Sequence, residues 1–280
     1  MSKYDAEYHV CPVCGADGVS LYHQDFRDND IYICQQCSVQ FMNPVYSDSY
    51  LAEYYAGYYG GGTSDPNVVE GQARTNRMKF KFIDKFVAKT GRALDFGCGN
   101  ANFALFAKDK GWDVVGYDID CEAMQQVSSR YGMQIACGPL ADVDWQSQKF
   151  DMIHAHHVVE HLKQPVHDLK ILHELLADDG CLYIGVPNIH AWSARVKLFL
   201  EKVGLKKRDV GKYYDSDHHV FYYTPKSMKN LLEASGFEVM LSMNGAKSDL
   251  SDNPIVQFFC YYLPNCFYSN SAFFVIARKK

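Results

Sequence analysis

The sequence predicts an α/β fold: an open, mostly parallel sheet with helices on both faces, closed by an antiparallel strand pair and preceded by a small cysteine-bearing ribbon. Three observations carry this expectation. Short strand-like runs alternate with helical runs from residue 92 to residue 188. The last two strand-like runs, "FEVMLSM" and "SAFFVIARKK", have no helix between them. Four cysteines fall in two C-x2-C pairs near the N-terminus. Strand–helix–strand alternation builds a parallel sheet covered on both faces, whereas two strands joined without a helix pair antiparallel at its edge.

Taken in order, Cys11 and Cys14 form "CPVCG" and Cys34 and Cys37 form "CQQCS", with about 19 residues between the pairs. That spacing is close to the zinc-ribbon pattern. Each C-x2-C turn brings two thiolates to one ion, and two turns complete a tetrahedral site with no position left for substrate or water. A Zn2+ ion held by Cys11, Cys14, Cys34 and Cys37 is therefore expected to be structural. A ribbon of residues 1–45 is too small to bury a sufficient core without it. The plain alternative is four unrelated buried cysteines.

From Tyr46 to Gly62 the chain reads "YSDSYLAEYYAGYYGGG". Tyrosines this dense, ending in three glycines, suit a connecting arm over residues 46–71 that lies as an aromatic lid on a neighbouring surface; the alternative is a solvated linker. Phe82, Ile83, Phe86 and Val87 fall at helical spacing and predict an amphipathic helix over about 72–89. "RALDF" then reads as a strand, followed by a glycine turn and a helix from about Ala101 to Lys110. "WDVVGYDID" is a second strand with a helix from about Glu122 to Tyr131, "MQIAC" a third and "KFDMIHAH" a fourth. Pro165 opens a helix with Val166, Leu169, Leu172, Leu175 and Leu176 on one face, expected to stop at "DDG". "CLYIGVPN" is the fifth strand. An inserted helix with a basic tail interrupts the alternation at about 189–220, and a helix from Pro225 to Ser235 precedes the closing strands. Residues 72–280 thus read as one domain, whose ligand crevice is expected at the carboxyl ends of its strands.

The 280 residues are 48% hydrophobic and 22% charged, an ordinary globular balance. A net charge of -5 argues against a protein that grips a nucleic-acid backbone across a broad face. No run of about 18 apolar residues predicts a membrane span, and "MSKYDAEYHV" lacks the apolar core of a signal peptide. The expectation is a cytoplasmic protein with its thiols reduced, so the ten cysteines are not read as disulfides.

The turn "LDFGCGNANFALFA", residues 94–107, is the first candidate site. Asp95 stands two residues before Gly97, and Asp118 ends the next strand, where a carboxylate can bond the ribose hydroxyls of an adenosine moiety. The dinucleotide fingerprint G-x-G-x-x-G would need glycine at 102, where Asn102 stands. An acid at 95 sits badly beside a pyrophosphate and suits an ammonium. S-adenosylmethionine carries an ammonium, a carboxylate, a sulfonium and an adenosine, but no phosphate. It fits this turn better than NAD.

As a set, residues 92–186 and the terminal strand pair resemble the class I S-adenosylmethionine-dependent methyltransferases. "LDFGCGNA" resembles the family's D-x-G-x-G-x-G motif, with Ala101 where the third glycine usually stands. "GYDID" resembles its second motif, and "FDMIHAHHVVEHL" and "LADDGCLYIGVPN" its fourth- and fifth-strand motifs. "HHVFYYTPKSMKNLLEASGFEV" resembles the segment before the final hairpin in small-molecule members. The resemblance implies a Rossmann-like, seven-stranded methyltransferase sheet with S-adenosyl-L-methionine as cofactor. It implies Asp95, Gly97, Cys98, Gly99, Asp118 and Ile119 as cofactor-binding residues. Leu140 and Ala141 of "CGPLADVDW" would contact the adenine, with Asp142 a further candidate for its N6, and His156 would point towards the methyl donor. Pro139 stands where the family often has an acid.

Methyl transfer is an in-line displacement at a sulfonium, so the protein must align the nucleophile and remove its proton. "VVEHL" offers Glu160 and His161 at the crevice edge, and an imidazole titrates near neutral pH. The pair resembles that of the ubiquinone-type O-methyltransferases and the deoxysugar C-methyltransferases, the latter also carrying an N-terminal zinc-binding segment. That resemblance implies a base or metal ligand at Glu160 and His161; the competing reading is that His161 caps or packs its own turn. His156 and His157 lie nearer the strand end, and His218 and His219, in the segment entering the last helix, face the acceptor side; for each of these four histidines a plain packing reading stands at least equal. Lys197, Lys202, Lys206, Lys207 and Arg208 can grip a phosphate-bearing acceptor or simply form a solvated face.

The function expected is methylation of a small molecule, foremost at an oxygen of a sugar-like or nucleotide-linked acceptor in surface polysaccharide or secondary metabolite biosynthesis. An rRNA base methyltransferase with an N-terminal zinc finger is the alternative, opposed by the acidic charge and by the lack of a basic ribbon with interleaved aromatics. A catalytically silent cofactor-binding scaffold is opposed by the intact Asp95, Gly97, Gly99 and Asp118 set. No membrane or nucleic-acid partner is expected.

Overall fold

The computed structural model describes residues 2–25, 27–55, 66–205, 214, 218–245, 255 and 270–280. The N-terminal part supplies β1 (Val19–Gln24), β2 (Asp30–Cys34) and β3 (Gln40–Met42), followed by α1 (Asp48–Tyr55) and α2 (Pro66–Ile83). The alternating part follows as β4 (Arg92–Phe96), α3 (Asn102–Asp109), β5 (Asp113–Asp118), α4 (Cys121–Tyr131), β6 (Gln134–Cys137), β7 (Phe150–His156), α5 (Pro165–Leu175) and β8 (Leu176–Pro187). The chain continues through α6 (Trp192–Lys202), β9 (Phe221–Tyr222), α7 (Pro225–Ala234), β10 (Phe237–Asn244) and β11 (Ala272–Lys279).

Seven strands form one sheet in the order β10-β11-β8-β7-β4-β5-β6. β8, β7, β4, β5 and β6 run parallel, and β11 pairs antiparallel with both β8 and β10. Strands covered on both faces read as continuous apolar runs; Leu94, Ile153, Ile184 and Val275 are accordingly buried, each worth about 1.5–3 kcal/mol relative to exposure. The parallel order reverses outward from β4, so β4 and β5 end at the crevice where such sheets bind ligands.

Two element boundaries differ from the periodicity. The second helix begins at Pro66, whose fixed φ suits the first turn, and ends at Ile83; Phe86 and Val87 follow in a turn yet pack on the same core. α5 ends at Leu175 because Leu176 is already extended and pairs with Phe150 of β7.

The small sheet has the order β1-β2-β3-β9. Its fourth strand comes from the far end of the chain: Gln40 pairs with Tyr222 and Phe41 with Phe221. Cys11, Val13, Val39 and Phe41 share one buried cluster with Phe221, Tyr223, Leu231 and the face of the large sheet. Around the arm, Tyr46 stacks on Tyr4 and Tyr50, with ring centroids 5.4 and 4.5 Å away. Tyr58, Tyr59 and Gly60 to Gly62 of the expected lid, and Lys206, Lys207 and Arg208 of the basic tail, lie outside the described residues. Lys197 and Lys202 lie on α6.

The expectation that every thiol is reduced is corrected at one place. Cys121 and Cys137 are joined as a disulfide. The cause is strand register: Cys137 pairs with Asp118, three residues before Cys121, so the start of α4 meets the end of β6. Among the described residues no helix is long and apolar enough to cross a membrane.

Candidate functional site

At the end of β4 the chain turns through Gly97 (φ 75°) and Gly99 (φ 46°), conformations open to glycine and costly for other residues. The Gly97 and Cys98 amides both donate to the Tyr117 carbonyl, at 2.8 and 2.9 Å, which pins the turn to β5. A Cβ on Gly97 would lie 2.2 Å from Cγ2 of Val158, so the segment after β7 rests directly on the turn. Ala101 is itself left-handed (φ 58°) and wholly buried. The left-handed backbone costs alanine about 1–2 kcal/mol, against which stand about 0.8 kcal/mol for a buried methyl and the smaller entropy loss relative to glycine. The near balance explains how alanine stands where a third glycine is usual. The N-cap residue Ala101 has no side chain to cap α3, so, apart from the Ala104 amide taken by Asp95, the first amides of the helix stand at the end of the turn as a place for an anion.

Beneath the turn lies a buried polar chain. Asp95 and His154 are register partners on β4 and β7, and Asp95 Oδ1 lies 2.7 Å from His154 Nδ1. Asp95 Oδ2 accepts the Ala104 amide at 3.1 Å, and His154 Nε2 lies 3.1 Å from Lys79 Nζ on α2. The His154 ring stacks on Phe103 with centroids 3.5 Å apart. Burial pushes the Asp95 carboxyl up to about 7, against the pull of the Lys79 charge. Burial likewise brings Lys79 down to about 7, opposed by Asp95, and holds His154 well below the usual imidazole range. The expected contact of the Asp95 carboxylate with an ammonium is not what this geometry offers. Asp95 is 2% exposed, and both its oxygens are taken by His154 and the start of α3. Lys79 escaped the sequence reading, although Asn76, Lys79, Phe80 and Ile83 share one helical face and all are buried.

Asp118 stands beside the same turn. Its Oδ2 accepts the Gly99 amide at 3.0 Å. Burial raises its carboxyl, opposed by the amides of Gly99, Asp120 and Ile119. Ile119, next in the chain, presents an apolar side chain that is 54% exposed. Cys98 is buried against Met124, with sulfur atoms 3.5 Å apart. Leu140 is buried at the start of a single helical turn, and Ala141 and Asp142 are exposed on it. The Tyr117 hydroxyl donates to the Gly138 carbonyl at 2.8 Å, and with the disulfide it ties the 138–142 loop to the Asp118 side.

The segment after β7 carries the titratable groups. His156 is partly buried, Gly185 leaves room for its ring, and its Nδ1 has no hydrogen-bond partner among the described residues. Burial first, then the Lys79 charge, holds His156 well below the usual range. Glu160 is buried, with Oε1 3.1 Å from His157 Nδ1 and Oε2 unpartnered among the described residues. Burial alone would raise its carboxyl, but the His157 bond and the nearby His161 and His219 outweigh that and lower it. His161 Nδ1 lies 3.1 Å from the His218 carbonyl oxygen. A carbonyl only accepts, so Nδ1 carries the proton and Nε2 is the basic nitrogen of the neutral ring. His218 stacks on His161 with centroids 4.8 Å apart, and its Nδ1 lies 3.1 Å from the Tyr54 hydroxyl. The geometry thus joins Tyr54, His161, His218 and His219 at one place.

In the ribbon, the Sγ atoms of Cys11, Cys14, Cys34 and Cys37 all lie within 4.8 Å of one another. Cys11 and Cys37 are 3.6 Å apart, as are Cys14 and Cys34. A tetrahedral ion with bonds of about 2.3 Å holds sulfurs about 3.8 Å apart, so the set fits zinc.

The strand order, the glycine turn after β4 and the acid ending β5 together define the class I methyltransferase fold. The chain belongs to the methyltransferase domain family, whose model matches residues 71–242, more than half of its length. Among solved structures it is similar to the 1,6-didemethyltoxoflavin-N1-methyltransferase of Burkholderia thailandensis, solved with 1,6-didemethyltoxoflavin and S-adenosylhomocysteine bound (15% identity, 93% of this chain and 99% of that chain, TM-score 0.55). It is similar to an S-adenosylmethionine-dependent methyltransferase of Clostridium acetobutylicum (11% identity, 82% and 98%, TM-score 0.51). It is also similar to the glycopeptide N-methyltransferase MtfA, solved with S-adenosylmethionine (11% identity, 74% and 94%, TM-score 0.51). At these identities the likeness is one of fold. No curated protein matches the chain by sequence.

Proposed function

We propose that the chain is an S-adenosylmethionine-dependent methyltransferase acting on a hydroxyl of a small, sugar-like or nucleotide-linked acceptor. Residues 1–45 serve as a structural zinc ribbon, 46–71 as a connecting arm and 72–280 as the methyltransferase domain with its acceptor-side insertion at about 189–220. The observation that carries the reading is the seating of the Val158 to His161 segment on the Gly97 turn, beside Asp118. It sets a basic imidazole next to a crevice suited to an adenosine-bearing amino acid.

S-adenosylmethionine supplies, when bound, a methyl carbon made electrophilic by its sulfonium. Gly97 and Gly99 keep the strand end clear of side chains, and the first amides of α3 receive a carboxylate. Asp118 serves the ribose, while Ile119, with Leu140 and Ala141, provides apolar surface for the adenine. Asp95 acts from below as a positioning residue, holding the start of α3 through the Ala104 amide. His161 serves removal of the acceptor's proton, and the buried Glu160 stabilises positive charge beside it. His156 borders the methyl donor.

Calorimetry tests the donor, and a screen of nucleotide sugars with labelled methyl donor tests the acceptor. S-adenosylhomocysteine is expected to bind the wild type at micromolar levels. His161→Ala is expected to keep that affinity and slow turnover about 10²–10⁴-fold, the range for a lost acid–base group. Binding of NADH in place of S-adenosylhomocysteine would overturn the donor assignment, and unchanged turnover in His161→Ala would remove that residue from the chemistry.

A further inference from the structure

Three imidazoles from two distant segments meet beside the proposed cofactor crevice. One ring nitrogen each of His161, His218 and His219 lies within 4.8 Å of the other two. His161 comes from the turn after β7, and His218 and His219 from the approach to β9, where Val220 donates its amide to the Glu160 carbonyl at 2.9 Å. Three such rings can simply pack side by side, or each can give a nitrogen lone pair to one shared cation.

The hydrogen bonds around the rings favour that second arrangement. A metal-ligating histidine almost always donates its other ring N–H to a carbonyl, carboxylate or similar group, which fixes tautomer and orientation. His161 has the His218 carbonyl at its Nδ1, and His218 has the Tyr54 hydroxyl at its Nδ1. Nδ1 of both rings is thus engaged, so Nε2 is the nitrogen each would give to an ion; their planes lie 9° apart, so one ring turns before both face the same ion. Glu160, adjacent to His161 in the chain, adds a wholly buried carboxyl group with one oxygen lacking a hydrogen-bond partner among the described residues.

We infer that His161, His218 and His219 form a second metal site, distinct from the four-cysteine site, which takes a first-row transition ion such as Zn2+ and keeps an open position for the acceptor oxygen. Imidazole ligands select zinc, iron, nickel or copper over magnesium and calcium. Three protein ligands with one open position is the pattern of catalytic rather than structural zinc. Bonds of about 2.0–2.1 Å bring ligand nitrogens to about 3.4 Å from one another, so the rings draw together by side-chain rotation when the ion enters.

The inference deepens the methyltransferase reading and rests on it for the reaction, though not for the metal. The acceptor hydroxyl binds the open position and its proton leaves to water, acidified by the ion. The oxygen's electron pair then forms the new O–C bond as the C–S bond breaks. The departing pair stays on sulfur, leaving neutral S-adenosylhomocysteine and one released proton. On this inference the Nε2 lone pair of His161 is held by the ion, so His161 keeps the ion in place rather than taking the proton itself, and the slowed turnover expected of His161→Ala reports loss of the ion.

The test uses the full chain produced in cobalt-supplemented medium, with cobalt counted by elemental analysis and read by absorption. The wild type is expected to hold two equivalents: one with the sulfur-to-cobalt charge-transfer band of a thiolate site, and one with the weaker bands of nitrogen and oxygen ligands. His218→Ala/His219→Ala is expected to drop to one equivalent, keeping the thiolate band and the affinity for S-adenosylhomocysteine, which together report an intact fold. If that variant fails to fold, His161→Gln, expected to lose the same equivalent, decides. A wild type holding only the thiolate-bound cobalt, or variants that keep both equivalents, would overturn the inference. Absence of S-adenosylhomocysteine binding in the wild type would instead defeat the methyltransferase reading and leave the cobalt count standing.

Discussion

A single absent atom at Gly97 governs the meeting of the glycine turn and the segment after β7. Alanine there would need a left-handed backbone, at about 1–2 kcal/mol, and would drive its Cβ to 2.2 Å from Val158. Overpacking of this kind adds about 1–3 kcal/mol unless the neighbour yields. Gly97→Ala is therefore expected to weaken S-adenosylhomocysteine binding at least about tenfold and lower the melting temperature by several degrees. Val158→Ala in the same chain should recover part of both, because it removes the atoms that clash. Affinity equal to the wild type in Gly97→Ala alone, followed by calorimetry, would show that the segment does not depend on this contact. At this scale, residue types were legible in the sequence and their partners were not. Asp95 announces itself two places before a glycine, but its partner His154 becomes visible only once β4 and β7 lie side by side. Lys79 was hidden for another reason: on an amphipathic helix a lysine is ordinarily solvated, and only the polar chain below the turn accounts for its burial.

Among the elements, the disulfide between the start of α4 and the end of β6 closes a segment of sequence separation 16. Chain-entropy arguments put closure of a loop of about 15 residues near 3 kcal/mol. Because the bond joins the loop of Ile119 to that of Gly138 and Leu140, its loss should loosen both sides of the proposed adenine pocket. Cys121→Ser/Cys137→Ser, or the wild type under reductant, is expected to unfold at lower urea and to bind S-adenosylhomocysteine several-fold more weakly. Urea midpoints and affinities that ignore reductant would count against this role. The long elements were readable because period 2 and period 3.6 repeat within them, as in "WDVVGYDID" or the leucines of α5. β9 was not. Its two residues, Phe221 and Tyr222, carry no period, and what defines them is the edge of a sheet about 180 residues earlier in the chain.

Across the whole molecule, the cysteine ribbon is tied to the segment after β7 and to α7. The Tyr8 hydroxyl donates to the Lys163 carbonyl at 2.8 Å, Lys163 Nζ lies 2.7 Å from Asp5, and the Asn230 side chain donates to the Cys37 carbonyl at 3.1 Å. Removing the zinc proposed for the four cysteines should therefore be felt beyond residues 1–45. Cys14→Ser is expected to lower the melting temperature and to cut turnover more than it cuts cofactor affinity, since β9 and His218 and His219 adjoin the ribbon while Asp118 and Gly97 adjoin the large sheet. An equal loss of both, or of neither, in paired calorimetry and turnover measurements would contradict that division. The class of sheet was legible from alternation along the chain. The union of its two ends was not, because backbone pairing between Gln40–Phe41 and Phe221–Tyr222 leaves no local trace.

That pairing bears on how such proteins can exchange parts. A crossover within residues 56–65 would separate Phe41 from Phe221 and deliver a ribbon edge to a wall it had never met. Exchange of either end would then need compensating changes at the other, at Gln40 and Phe41 on one side and Phe221 and Tyr222 on the other.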